Sequence, residues 1–304
     1  MNTVGFVDPW PGGRPALTRF LASGMAATAR GPRPKPDHPL ALVELHEALA
    51  EHRIHTRYQP IVRIADNRPV GFEVLARLEH PTRGLLPPDL FVPQIEDAGL
   101  AWPLTEAVIR RAFHDWGGGR LEAMDVWIAI NFPLDVLLDP AALAWLEQAR
   151  ATAGIAARRL TIELTESRPV SRLAELRHAT ERLREIGYRL SIDDVGPDIR
   201  DHRQLLNMPF SSLKLDKDLV RESPDSASSR EFLQEAVTAA HAAGLLIIAE
   251  GVEDTDIWNR MALLGVHEAQ GFLIARPLPA EAVAGWFAEW CSRHHLSTSA
   301  RMAG

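Results

Sequence analysis

A single cysteine, Cys291, stands in 304 residues. It can close no internal disulfide and build no cysteine-rich zinc site, which predicts a reducing compartment, the cytoplasm. No apolar stretch approaches the roughly 18 residues that cross a bilayer. The opening MNTVGFVDPWPGG lacks the basic start and apolar run of a secretory signal. Lysine is scarce: Lys35, Lys214 and Lys217 are the only three among 33 basic residues, so a lysine in a special place is informative. No P-loop, dinucleotide fingerprint or serine nucleophile elbow occurs; GGGR at 117–120 follows a helical pattern and reads as a turn. His52 and His55 are three apart with no further His or Cys at ligand spacing, so they read as helix-surface residues.

What is present is an ordinary globular composition, 46% hydrophobic and 24% charged, sufficient for a sizeable core. The charge is uneven. Residues 1–38 carry five basic and two acidic side chains, a net of +3; the whole chain is −7, which leaves −10 on residues 39–304. That excess argues against binding a nucleic-acid polymer but admits a phosphorylated substrate if cations offset the acids. Pro and Gly cluster at both ends of residues 1–38 (DPWPGGRP, RGPRPKPDHP), which read as a flexible tail around one short amphipathic stretch. Residues 291–304 read as a frayed end, leaving 39–290 as one unit of barrel size.

Within that unit, apolar β-rich runs alternate with helix-period segments. The runs are 57–64, 69–78, 125–131, 160–164, 188–194, 211–216 and 245–250, with an eighth near 267–275. Strand–helix alternation implies parallel strands joined by crossover helices. The first two runs are separated only by ADNR, which predicts an antiparallel pair. The expected fold is therefore α/β, a modified TIM (β/α)8 barrel with an antiparallel first strand.

The polar residues fall where such a barrel does its chemistry. Asn131, Glu163, Asp193, Asp194, Lys214 and Glu250 each follow an apolar run, at the strand ends that converge on one mouth, and Glu73 interrupts another run. Singly, each has a plain explanation as a helix cap or a surface ion pair. Together the five carboxylates repel one another unless cations intervene. Oxygen donors without thiolates suit Mg²⁺ or Mn²⁺, and adjacent aspartates can bridge two metals for an in-line phosphoryl displacement. Lys214 would orient a water or neutralise developing phosphate charge.

At these residues the sequence resembles the EAL-domain family of bacterial cyclic di-GMP phosphodiesterases. Glu73-Val74-Leu75 stands at the name-giving Glu-Ala-Leu, and the likeness continues through YQPIV (58–62), AIN (129–131), ELTE (163–166), DDVG (193–196), LKLD (213–216), AEGVE (249–253) and QGFLIARPLP (270–279). The resemblance implies hydrolysis of 3′,5′-cyclic di-GMP to linear pGpG with two Mg²⁺ or Mn²⁺ ions. It implies Glu73, Asn131, Glu163 and Asp193 as metal ligands, with Asp194 helping to hold the second metal. Lys214 becomes the lysine of the attacking water, and Glu250 the general base or a ligand of the hydroxide-bearing metal. Gln59, Leu75, Arg77 and Gln270 fall at positions facing the dinucleotide. Glu166 anchors the loop after the paired aspartates, which in the family reaches the partner of a homodimer.

That loop departs from the family pattern. Val195-Gly196-Pro197-Asp198-Ile199-Arg200-Asp201 lacks the second glycine, the aromatic and the hydroxyl, and Pro133 replaces a serine after Asn131. The departure bears on dimerisation and turnover more than on ligand binding. The alternative to an enzyme is a non-catalytic cyclic di-GMP receptor or partner-binding module on the same fold.

Overall fold

A computed structural model describes residues 39–165, 173–196 and 208–297. The expected tail at 1–38 lies outside them. Nine strands are described: β1 (Ile54–Arg63), β2 (Pro69–His80), β3 (Gly84–Leu86), β4 (Trp127–Pro133), β5 (Leu160–Thr165), β6 (Arg189–Val195), β7 (Ser212–Leu215), β8 (Leu246–Ala249) and β9 (Glu268–Ala269). Their order is β1-β9-β8-β7-β6-β5-β4-β2-β3, and β1 also pairs with β2, so eight strands close into a barrel with β3 appended to β2. Every neighbouring pair from β2 through β4 to β9 is parallel, whereas β1 is antiparallel to both β2 and β9. The barrel with one reversed first strand is thus as expected, and the eighth run is the short β9.

The sequence dictates this through burial on both strand faces. Outward residues such as Ile128, Ile130, Leu160, Ile162, Leu190 and Leu213 join the large core between sheet and helices. A second, separate cluster of Ile61, Val70, Trp127, Ala129 and Ile248 packs within the barrel. With apolar demand on both faces, the strands read as continuous apolar runs rather than alternating ones. Gly71 is required where β2 crosses Trp127: a Cβ there would lie 2.5 Å from the indole.

Three expectations are adjusted. GGGR is not a simple turn; Trp116–Arg120 forms a π-helical turn that continues the helix Ala101–Asp115. His52 and His55 do not share a helix surface. His52 sits in a turn at φ 55°, and His55 lies in β1 with Nε2 2.7 Å from Glu79 Oε2. The last helix, Ala280–Arg293, runs past the expected 290/291 boundary.

Candidate active site

The β-register places the site residues on one inward face. Gln59 pairs with Glu73, Glu73 with Ala129, Asn131 with Glu163, and Glu163 with Ser191. Lys214 pairs with Ile248 of the interior cluster. Strict alternation carries the inner face from Ser191 to Asp193 but would send Asp194 into the apolar layer outside the barrel and Val195 inward, so Asp194 requires a special device. The β6–β7 register shifts between Ile192 and Val195, and Asp194 adopts a left-handed φ of 52°. This bulge returns Val195 to the core while Asp193 joins the interior and Asp194 stays exposed.

Two loops fix the far side. Gln270 N donates to Ala249 O at 2.8 Å, and Val252 N donates to Gln270 O at 3.0 Å, lacing the segment after β8 to the one after β9. Glycine is required twice in this lacing. Gly251 has φ +66° against Lys217, and a Cβ on Gly271 would lie 2.0 Å from the Val252 carbonyl oxygen. The close approach sets Gln270 beside Glu250, and Gln270 Nε2 donates to Glu73 Oε2 (2.6 Å) and Glu250 Oε1 (3.3 Å). Gln270 therefore reaches the carboxylates from a buried position. Asn131 Nδ2 donates to the other Glu73 oxygen at 3.2 Å.

At the focus stands Lys214. Its Nζ lies 2.5 Å from Glu250 Oε1, 3.0 Å from Asp193 Oδ1, 3.2 Å from Glu163 Oε1 and 3.4 Å from Glu73 Oε2. Four of the five carboxylates converge, Asp194 staying exposed, and they are not unpaired: the lysine is their shared counterion. Four carboxylates against one ammonium leave a nominal charge of −3. The ionisation pattern records that excess. Burial, reinforced by like charges, pushes Glu163 and Glu250 well above the ordinary carboxylate range and Asp193 up to about 6. Burial would raise Glu73 as well, but Lys214, Gln270 and Asn131 hold it below its ordinary value. Burial alone would lower Lys214, yet its four carboxylate partners raise it well above the ordinary lysine value.

The donor set is chemically suited to a hard divalent cation: all ligating atoms are oxygens. Both Glu163 oxygens and Asp193 Oδ1 are buried without a hydrogen-bond partner. Among the described residues no group of three or more His, Cys, Asp or Glu is arranged around a position for an ion. Lys214 takes that focus, so an entering cation competes with its ammonium for the same oxygens.

At the mouth, Gln59, Leu75 and Arg77 are half-buried on β1 and β2. Arg57, which motif reading passed over, joins them. It pairs with Leu75 and lies two residues from Gln59, on the same face. Burial and the neighbouring Arg57 charge depress the Arg77 guanidinium. Period-two alternation backward from Gln59 would have found Arg57. Glu166 and the altered loop from Pro197 onward, with its implied homodimer contact, lie outside the described residues. No described helix is long and apolar enough to cross a membrane.

The EAL domain profile matches residues 42–277. The cyclic di-GMP phosphodiesterase NbdA of Pseudomonas aeruginosa is 33% identical over 244 residues, 79% of this chain and 31% of that one. An uncharacterized signaling protein of Caulobacter vibrioides is 30% identical over 243 residues, 80% of this chain and 30% of that one. The chain thus spans about a third of the length of these curated relatives. Among solved structures, the PaMucR phosphodiesterase in complex with c-di-GMP superposes with a TM-score of 0.73 at 29% identity, over 80% of this chain and 98% of that one.

Proposed function

The chain belongs to the EAL domain family, and from that premise we propose that it hydrolyses 3′,5′-cyclic di-GMP to linear pGpG with Mg²⁺ or Mn²⁺. The observation that carries the reading is the overcharged ring: four buried carboxylates share one ammonium, an arrangement that costs stability unless cations enter it. Glu73, Asn131, Glu163 and Asp193 would hold the metal, with Asp194 at the exposed side for a second. When bound, the ions supply Lewis acidity and a water of lowered pKa.

The remaining work falls to the protein. Glu250, at the rim of the ring and only 12% exposed, accepts the proton of the attacking water at its carboxylate. Its raised affinity for protons suits that task. With cations held by the carboxylates, Lys214 would face the charge that develops on the phosphate. Arg77 and Arg57 hold the phosphates at the mouth, and Gln59 and Leu75 flank the dinucleotide. Gln270 orients Glu73 and Glu250 rather than the substrate.

The test is direct. Purified protein is incubated with cyclic di-GMP and Mg²⁺ or Mn²⁺, and the products are separated by chromatography. Linear pGpG is the expected product. Binding of the dinucleotide without turnover in any divalent metal would overturn the enzyme and leave a cyclic di-GMP receptor.

A further inference from the structure

Beneath the carboxylate ring, three neighbouring strands repeat one pattern. Thr161 precedes Glu163 by two residues on β5, Ser191 precedes Asp193 on β6, and Ser212 precedes Lys214 on β7. Two residues along a strand keep the same face and step about 6.6 Å, so each hydroxyl lies one layer deeper than a site residue. The register sets Ser191 level with Glu163 on one side and with Ser212 on the other, while Thr161 lies one step deeper, level with Arg189. All three residues are at most 1% exposed. None of their hydroxyl oxygens has a hydrogen-bond partner.

Glu163 completes the set. Its side chain is fully buried; Oε1 meets Lys214, and Oε2 has no hydrogen bond. Four orphaned polar atoms on adjacent strands cannot be dismissed as tolerance, since a buried unpaired hydroxyl costs about 1–3 kcal/mol and a carboxylate oxygen more. Direct hydroxyl–carboxylate bonds are not made. Elsewhere the barrel interior holds apolar Ile61, Ala129 and Ile248 and one further charged pair, Arg189 stacked 4.6 Å over Trp127 with the buried Glu268 as its electrostatic partner. Small hydroxyls opposite a lone carboxylate oxygen match what a buried water requires, two to four polar partners in a pocket of its own size.

We propose that Thr161, Ser191 and Ser212 hold ordered water against the inner side of the Glu163 carboxylate, which makes the three hydroxyls positioning residues for Glu163 and, through it, for Lys214. The inference rests on packing and hydrogen bonding alone and stands whether or not the chain is a hydrolase.

A crystal structure of the full chain at a resolution that shows ordered water tests it first. The expected result is at least one water within hydrogen-bond distance of Glu163 Oε2 and of two of the three hydroxyls. Hydroxyls turned onto backbone carbonyls with no density between them would overturn the proposal. So would density with contacts near 2.4 Å to many oxygens, the signature of a cation. The positioning role is tested with Thr161→Val, which keeps shape and loses the hydroxyl, against Thr161→Ser, which keeps the hydroxyl. The Val variant is expected to lower Tm by about 2–4 °C and to rotate the Glu163 carboxylate in its own crystal structure. The Ser variant should leave that carboxylate in place. A Val variant with equal or higher Tm and an unmoved Glu163 refutes the role, because removing a hydroxyl that holds nothing is neutral or stabilising. Should the Val variant fail to fold, the structure of the unmutated chain decides alone.

Discussion

Two charge clusters sit on opposite sides of the barrel wall, and they are built on opposite principles. Outside, Arg150 grips Glu147 with two parallel bonds, Nε to Oε1 at 2.9 Å and Nη2 to Oε2 at 2.8 Å. Its remaining Nη1 donates to the Ile155 carbonyl at 2.6 Å, and the Tyr188 hydroxyl donates to Glu147. Charge is matched one to one and each donor is used. Inside, one ammonium faces four carboxylates, and buried oxygens go without hydrogen bonds. The first cluster is matched as it stands; the second carries more carboxylates than its lysine can pair, the excess that the proposed cations would offset. A structural ion pair minimises unspent charge, whereas a binding site keeps it.

The largest effect expected follows from removing the inner counterion. Lys214→Ala leaves the ring without its ammonium, and an uncompensated buried cluster costs about 3–5 kcal/mol. Metal-free protein should therefore lose much of its thermal stability, and Mn²⁺ should restore it, as measured by unfolding with and without the metal. Turnover in Mg²⁺ should fall roughly 10²–10³-fold, while dinucleotide binding measured in Ca²⁺ should stay within about tenfold, or about 1.4 kcal/mol. A metal-free variant as stable as the parent would make the inner cluster as self-sufficient as the outer one, and the comparison would collapse.

Next comes the lacing that aims Gln270. In Gly271→Ala the new Cβ meets the Val252 carbonyl at 2.0 Å, so the backbone must move. Overpacking of this kind costs about 1–3 kcal/mol, and here it also separates Gln270 from Glu73 and Glu250. Chemical denaturation should show the loss, and dinucleotide turnover should fall with it. Retained turnover at lowered stability would show that Gln270 does not orient the carboxylates.

Arg57 offers a smaller effect at the mouth. Its guanidinium is half-buried beside Arg77, and neither makes an ion pair among the described contacts. Two such charges suit an anion. Arg57→Gln should weaken cyclic di-GMP binding in Ca²⁺ by about 1.5–3 kcal/mol, the range of a hydrogen bond to a charged group. An unchanged dissociation constant would remove Arg57 from the site.

How much of this could be read from the chain follows from the same contrast. Glu73, Glu163, Asp193, Lys214 and Glu250 were legible because a charged residue within or ending an apolar run is rare without a reason. The antiparallel first pair was legible from the four-residue ADNR spacing. The focal place of Lys214 was not, since sequence shows which residues reach the mouth but not which of them touch. The bulge at Asp194 escaped for the same reason: two adjacent aspartates read alike until a register shift leaves one exposed and returns Val195 to the core. Arg57 was hidden among 30 arginines, distinguished only by its alternation with Gln59. His55 was misassigned because the helix Leu42–Ala50 ends before it and β1 has already begun.

The smallest effect concerns pH, and it separates the clusters by sign. Arg150 holds the Glu147 carboxyl below its ordinary value against the opposing effect of burial. A carboxyl depressed in the folded state contributes stability above its unfolded value and loses it as pH falls through the folded one. Three of the four inner acids act in reverse, whereas Glu73, held below its ordinary value, has the same sign as Glu147. With Asp193 raised to about 6 and Glu163 and Glu250 also raised well above the ordinary carboxylate range, these three groups bind more protons in the metal-free fold than in the unfolded chain, so their ionisation opposes folding as pH rises through their folded values. Glu147→Gln should flatten the acid limb of a stability–pH curve, by no more than about 1 kcal/mol because the pair is partly solvated. It should leave the decline toward neutral pH untouched. Adding Mn²⁺ to the unmutated protein should do the opposite, removing the neutral decline and sparing the acid limb. Unfolding curves at several pH values, with and without the metal, measure both, and a single limb responding to both changes would mean that the two clusters are not independent.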